Sequence, residues 1–428
     1  MRLTQALPAT VVASSAAQRI VAPKDLDITS AYSVRNVAAT IVHDAMTYYT
    51  GNTSSVPNEV GDLHDPYYWW VAGALWGSLL DYYHYTKDPT YNDVVIQALL
   101  APTNIGPNFD YMPAEHAFEE GNDDLYFWGS AALAAAERNF PQPDAAIPSW
   151  LEIGANVFNS LQGRWNMTHC GGGLNWQIFA DNPNGMNYKN SVSNGGFFQL
   201  AARLARATGN ATYLEWAEKA WDWSFDIGFI DPESYHVYDG TDAANNCSDV
   251  NKISYTYTSG IYLHGAAVLA NHTNDAKWAE RTTKLLDGAK WFFGPYENAT
   301  DIMYEGACET VEKCNADMDT HKAFLSRNMW QATTMQASLQ PEVERLLGAS
   351  AKAAALSCSG GDSGTICGRK WYVGGYDGAP GLGQQMTALE TIQGWLIHEA
   401  APPLSGDAIQ VVRDTNWTPV DPYRPDSA

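Results

Sequence analysis

Twelve stretches of helical periodicity run along this chain, and the connections between them alternate long and short. The apolar spacing predicts helices over residues 30–49, 67–87, 90–101, 123–139, 147–162, 191–208, 213–227, 254–270, 275–291, 320–335, 338–356 and 384–398, while alternating strand patterns are scarce. Long connections fall near 50–66, 102–122, 163–190, 228–253, 292–319 and 357–383, with short turns between. Antiparallel hairpins joined in this way put every long loop at one end. Three short turns share a pattern, "YTKDPTY" at 85–91, "ATGNATY" at 207–213 and, more loosely, "HTNDAKW" at 272–278, which marks an internal helix–turn–helix repeat. Six hairpins closed in a ring make an all-α (α/α)6 barrel of six inner and six outer helices, with its site at the long-loop end. An open superhelix is the alternative, disfavoured because neither terminal hairpin carries the polar cap of an open stack.

Helix starts are expected at Asp65 as N-cap with Pro66 in the first helical position, at Asn122, and at a Thr212/Glu215 capping box. With 45% hydrophobic residues the chain has material for one large core, expected over 23–400. Before it lies a segment, 1–22, that reads as a poor signal peptide, since Gln5 and Pro8 interrupt it. After it comes a polar, Pro-rich tail, 401–428, without the hydrophobic run of a lipid-anchor signal. A net charge of −23 argues against nucleic acid or an anionic membrane as partner.

The six cysteines show no metal-binding spacing. Cys308 with Cys314 and Cys358 with Cys367 are expected to close small loops, which leaves Cys170 for Cys247. Seven Asn-x-Ser/Thr sequons, at Asn52, Asn166, Asn210, Asn246, Asn271, Asn298 and Asn416, join the even cysteine count in pointing to a secreted or cell-surface protein. No cofactor or metal is expected: the histidines lack a ligand spacing, and the glycine-rich 373–383 lacks the Lys of a phosphate loop.

The chemistry centres on "EEGNDDLYFWG" at 119–129. Acidic residues in a first helical turn are ordinary capping charges. Here, however, the pair stands at the loop-rich end of an inner helix, ahead of Tyr126 and Trp128. Neighbouring α-carbons about 3.8 Å apart can carry diverging carboxyls to roughly 5–5.5 Å, the separation of a retaining glycosidase. The helix dipole is expected to keep one carboxylate ionised, and its charge to raise the pKa of the other. Trp69, Trp70, Trp128 and Trp176 are candidate sugar platforms at the rim. Asn175 and Asp239 are candidate hydroxyl ligands, with Asn122, Asn194 and Tyr376 as further binding candidates.

"DPYYWWVAGALWGSLLDYY", "EGNDDLYFWGSAALAAAE" and "GAPGLGQQMTALE" resemble glycoside hydrolase family 76, the α-1,6-mannanases, over about 27–400. The likeness is to the fungal branch associated with the cell wall. It implies an (α/α)6 barrel with a retaining mechanism, Asp123 as nucleophile and Asp124 as acid/base. It also implies an α-mannan or lipid-anchor core glycan as donor and a β-glucan acceptor; a monomer is expected. Val71, Leu125 and the Thr258–Ser259 pair depart from the family pattern at positions expected to line subsites. A non-catalytic glycan-binding wall protein on the same barrel is the rival reading. An enzyme on uronic-acid polymers is disfavoured by the absence of a basic cluster.

Overall fold

A computed structural model describes residues 21–51, 59–142, 147–180, 182 and 185–413. Among these lie thirteen α-helices: α1 (Ala31–Met46), α2 (Trp69–Thr86), α3 (Asn92–Leu100), α4 (Pro102–Ile105), α5 (Asn122–Ala136), α6 (Trp150–Gly163), α7 (Ser191–Thr208), α8 (Ala211–Asp226), α9 (Thr256–Thr273), α10 (Ala276–Ala289), α11 (His321–Met335), α12 (Gln340–Ser357) and α13 (Leu382–Gln393). All twelve expected helices are present, and α4 is an added single turn. Helices α2, α5, α7, α9, α11 and α13 pack in that order, and α13 returns to α2, so the inner ring closes. The others brace it from outside: α3 on α2, α6 on α5, α8 on α7, α10 on α9, α12 between α11 and α13, and α1 on α13. The fold is therefore an (α/α)6 barrel, and the open superhelix is excluded.

Side-chain pattern separates the two rings. Outer α10 buries Trp278, Thr282, Leu285 and Leu286 along one stripe, while inner α9 is buried from Thr256 to Leu269 except at Tyr257. Small residues allow the crowding inside. A β-carbon on Gly260 would lie 2.9 Å from the Leu325 α-carbon and the Phe324 carbonyl, so α9 and α11 meet backbone to backbone.

Three expected helix starts need correction. Helix α2 begins at Trp69 with Tyr68 as N-cap, so neither Asp65 nor Pro66 starts it. Helix α5 is capped by Gly121, and Asn122 is its first residue. Helix α8 is capped by Asn210, whose side chain accepts from Thr212 N, so the Thr212/Glu215 box does not form; asparagine is the stronger cap of the two. The long loops also hold a small antiparallel sheet, β1 (Tyr188–Asn190), β2 (Gly240–Asp242) and β3 (Val250–Asn251), in that order. Strands of two or three residues are too short for alternation to reveal.

The cysteines pair as expected, Cys170–Cys247, Cys308–Cys314 and Cys358–Cys367, all in long loops. The segment from 401 continues the packed structure as far as Arg413. It lies across the short-turn end, where Leu404 N donates to the Glu137 carbonyl and Arg206 to the Pro403 and Leu404 carbonyls.

Candidate active site

The first turn of α5 is pinned from outside the helix. Asn122 N donates to the Trp176 carbonyl at 2.8 Å, and its Nδ2 to the Asn175 carbonyl at 2.8 Å. Its Oδ1 accepts from Arg164 Nε at 2.7 Å. Gly121 N donates to Asp124 Oδ2 at 2.5 Å, so Asp124 closes the helix start with its own side chain. Glycine at 121 leaves room for both carboxyls: a β-carbon there would stand 2.4 Å from Asp123 Oδ1 and 2.8 Å from Asp124 Oδ2.

Both aspartates open on a cleft of about 570 Å³ at the N-terminal ends of the inner helices. Glu119, Asp239 and Asp317 add three more carboxyls to its lining. Trp70, Phe127, Trp176, Tyr188, Tyr255 and Tyr257 supply apolar faces, with Tyr68 and Phe118 exposed at the rim. His321 stacks on Tyr257 at 3.9 Å. Asp317 Oδ1 accepts from Trp70 Nε1 at 3.1 Å, and Asp239 Oδ2 from the Tyr188 hydroxyl at 2.6 Å and Asn251 Nδ2 at 3.0 Å.

Burial dominates the electrostatics. It pushes the Asp123 carboxyl up to about 7, against the pull of the α5 backbone N–H groups and the Asn190 side chain. The dipole thus fails to hold Asp123 in the ordinary carboxylate range, contrary to the sequence-based expectation, because desolvation outweighs it. Asp124 rises well above its ordinary value, first from burial and then from the charge of Asp123. The charge of Asp123 thus favours the protonated form of Asp124. Burial also raises Asp239 and Asp317.

Of the binding candidates, Trp70, Trp176 and Asp239 line the cleft. Trp69 and Trp128 do not: they are core residues stacked on one another at 5.0 Å, with Trp69 Nε1 donating to Asn104 Oδ1. Asn194 is buried and holds Leu174 by both its backbone groups. Asn122 and Asn175 line a neighbouring groove instead, and Tyr376 packs against Gly360, outside the cleft lining. Val71 and Leu125 are fully buried, and Thr258 and Ser259 nearly so, which removes the subsite meaning given to those departures. Asn52 and Asn416 lie outside the described residues. Asn166 sits half-buried in a loop, Asn210, Asn246, Asn271 and Asn298 are exposed, and Asn271 already bonds Arg206 and the Met335 carbonyl. Sequence reasoning missed Glu119, Asn190, Tyr188, Asp317, Tyr255, Tyr257 and His321. The usable signal was position, since each stands just before or within the first turn of an inner helix, or just before the Asp pair.

A closed (α/α)6 barrel with two adjacent buried carboxyls beneath aromatic faces has the site of a glycosidase. Glycosyl hydrolase family 76 matches residues 33–407, and the chain belongs to that family. Mannan endo-1,6-alpha-mannosidase DCW1 of Eremothecium gossypii is 45% identical over 372 residues, covering 86% of this chain and 80% of that protein. Mannan endo-1,6-alpha-mannosidase DFG5 of Saccharomyces cerevisiae is 43% identical over 385 residues, covering 90% and 82%. The crystal structure of Dfg5 from Chaetomium thermophilum in complex with glucosamine has a TM-score of 0.85 at 38% identity, covering 92% of this chain and 97% of that one. The fold is shared with an inactive variant of alpha-1,6-mannanase GH76A of Salegentibacter sp. HEL1_6 in complex with alpha-1,6-mannotriose, at TM-score 0.67 and 19% identity over 85% and 99% of the two chains.

Proposed function

We propose that this protein cleaves α-1,6-linked mannose by a retaining double displacement in which Asp123 is the nucleophile and Asp124 the acid/base. That it is an enzyme of the mannan endo-1,6-α-mannosidase type follows from its family and from relatives 43–45% identical. The roles are supported by two neighbouring carboxyls at the cleft floor, where burial and then the charge of Asp123 favour the protonated form of Asp124.

Asp124 gives its proton to the glycosidic oxygen as Asp123 attacks the anomeric carbon, and the leaving sugar departs. The glycosyl–Asp123 ester that forms has inverted configuration. Asp124, now a carboxylate, deprotonates the incoming hydroxyl, which attacks the same carbon and restores the α configuration. A sugar hydroxyl can take the place of water in that second step. The likeness to the fungal branch favours such transfer, with a mannoprotein glycan as donor and wall β-glucan as acceptor. Three disulfides, and no helix among the described residues long and apolar enough to cross a membrane, agree with a place outside the cell.

The test uses α-1,6-mannotriose with and without a β-1,3-glucan oligosaccharide, followed by NMR from the first turnovers. The first product should be the α-anomer, mixed glycans should appear with acceptor, and Asp123→Asn should bind without turnover. An initial β-anomer would overturn the role assignment. Hydrolysis alone at saturating acceptor would remove the transfer step and leave the glycosidase.

A further inference from the structure

A second groove, of about 390 Å³, adjoins the cleft, with Gln177 in the wall of both. It falls within the roughly 300–1,000 Å³ of small-molecule sites. Four of its lining side chains keep a buried polar atom without a partner among the described residues: Arg164 Nη2 and Trp165 Nε1 as donors, Asn175 Oδ1 and Gln177 Oε1 as acceptors. Met167, Ile178 and Met186 add apolar surface. These polar side chains and the apolar surface beside them suit a ligand with donors, acceptors and an apolar face, such as an acetamido sugar.

The wall of the groove is itself a sequon, Asn166-Met167-Thr168. That loop is rigidly held. Asn166 N donates to the Gly173 carbonyl, and Lys189 Nζ donates to the carbonyls of Asn166 and His169 at 3.0 and 3.1 Å. Asn166 Oδ1 accepts from Thr168 N at 2.8 Å. Cys170 then ties the loop to Cys247.

We propose that Asn166 carries an N-linked glycan whose innermost N-acetylhexosamine is seated in this groove. The bond formed joins Asn166 Nδ2 to the anomeric carbon of the sugar. The bond broken joins that carbon to the pyrophosphate of a lipid-linked oligosaccharide donor, and one amide proton leaves with the pyrophosphate. Attachment precedes closure of the Cys170–Cys247 loop, and folding then lays the sugar against Arg164, Trp165, Asn175 and Gln177. Since Arg164 and the Asn175 carbonyl also hold Asn122, the seated sugar buttresses the start of α5 from outside the cleft.

The full chain is secreted from a eukaryotic host and its glycopeptides are mapped. Release by a peptide-N-glycosidase is then timed on native and on denatured protein. Asn166 should be occupied, and its native release slower than its denatured release by a ratio at least about tenfold larger than at the exposed Asn210 or Asn298. Met186→Lys, which puts a longer, charged side chain into the groove lining, should abolish that protection and leave occupancy unchanged. Thr168→Val, which deletes the sequon, should lower Tm for protein from the glycosylating host and leave it unchanged for protein made without glycosylation. An unmodified Asn166, or a glycan there released as readily as in denatured protein, would overturn the proposal.

Discussion

Asp123 is a carboxylate that the fold would rather keep protonated, and its chemistry needs it ionised. Its pKa rises from 3.8 to about 7 on folding, so the native state binds this proton more tightly than the unfolded chain does. The stability this contributes is complete below the unfolded value and is lost as pH rises through about 7. Asp123→Asn keeps the shape without the charge. Its unfolding free energy should equal that of wild type near pH 3 and exceed it above pH 7, by at most about 4 kcal/mol, read from paired denaturant unfolding across pH. Asp317 acts on the pair at a distance, its charge raising both aspartates. Asp317→Asn preserves the acceptor for Trp70 Nε1 and removes that charge. The acid limb of kcat/KM should move to lower pH in this variant; an unmoved limb would separate Asp317 from the titration.

Five of the six inner helices, α2, α5, α7, α9 and α11, bring their N-terminal ends or the residues just before them to one cleft, and this convergence lets five carboxyls share it. Each helix start brings unpaired N–H groups and a partial positive charge, which offset part of the cost of clustering acids. The start of α5 is the most constrained, because Gly121 leaves room for both reactive side chains. Gly121→Ala puts a methyl where Asp123 Oδ1 stands, yet the backbone angle at 121, φ −110°, suits any residue. Turnover should therefore fall about a hundredfold, the scale of an ångström misplacement at a reacting group. The stability loss should stay within the ordinary ~0.5–3 kcal/mol of single substitutions, checked by denaturant unfolding.

Ring closure makes the barrel a single cooperative body, but the long loops carry the cleft walls and need separate fastening. Cys170–Cys247 spans 77 residues and ties the loop before α7 to the loop before α9, whereas Cys308–Cys314 spans 6. Loop-closure entropy scales with that span. Removing Cys170–Cys247 by paired Ser substitution should cost about 4.5 kcal/mol, against about 2 for Cys308–Cys314, by equilibrium unfolding of the oxidised proteins. Equal losses would mean that the unfolded chain is not the state the bridge restrains.

Helix placement, ring topology, cysteine pairing and the Asp123–Asp124 pair were legible in the sequence, because each is written in local spacing. Apolar residues every three or four positions mark helices, alternating connector lengths set the hairpins in register, and adjacent carboxyls cannot be separated by folding. The cleft wall was not legible. Trp69 and Trp70 are neighbours in sequence and equal in chemistry, yet Trp69 stacks in the core on Trp128 while Trp70 faces the cleft and bonds Asp317. Asp317, Tyr188 and Tyr257 come from the loop before α11, from β1 and from the first turn of α9, which meet only when the ring closes. The burial that lifts Asp123 to about 7 is likewise a sum over side chains distant in sequence. Direction about a helix axis and exclusion of water depend on which neighbours arrive, and that is decided by tertiary packing.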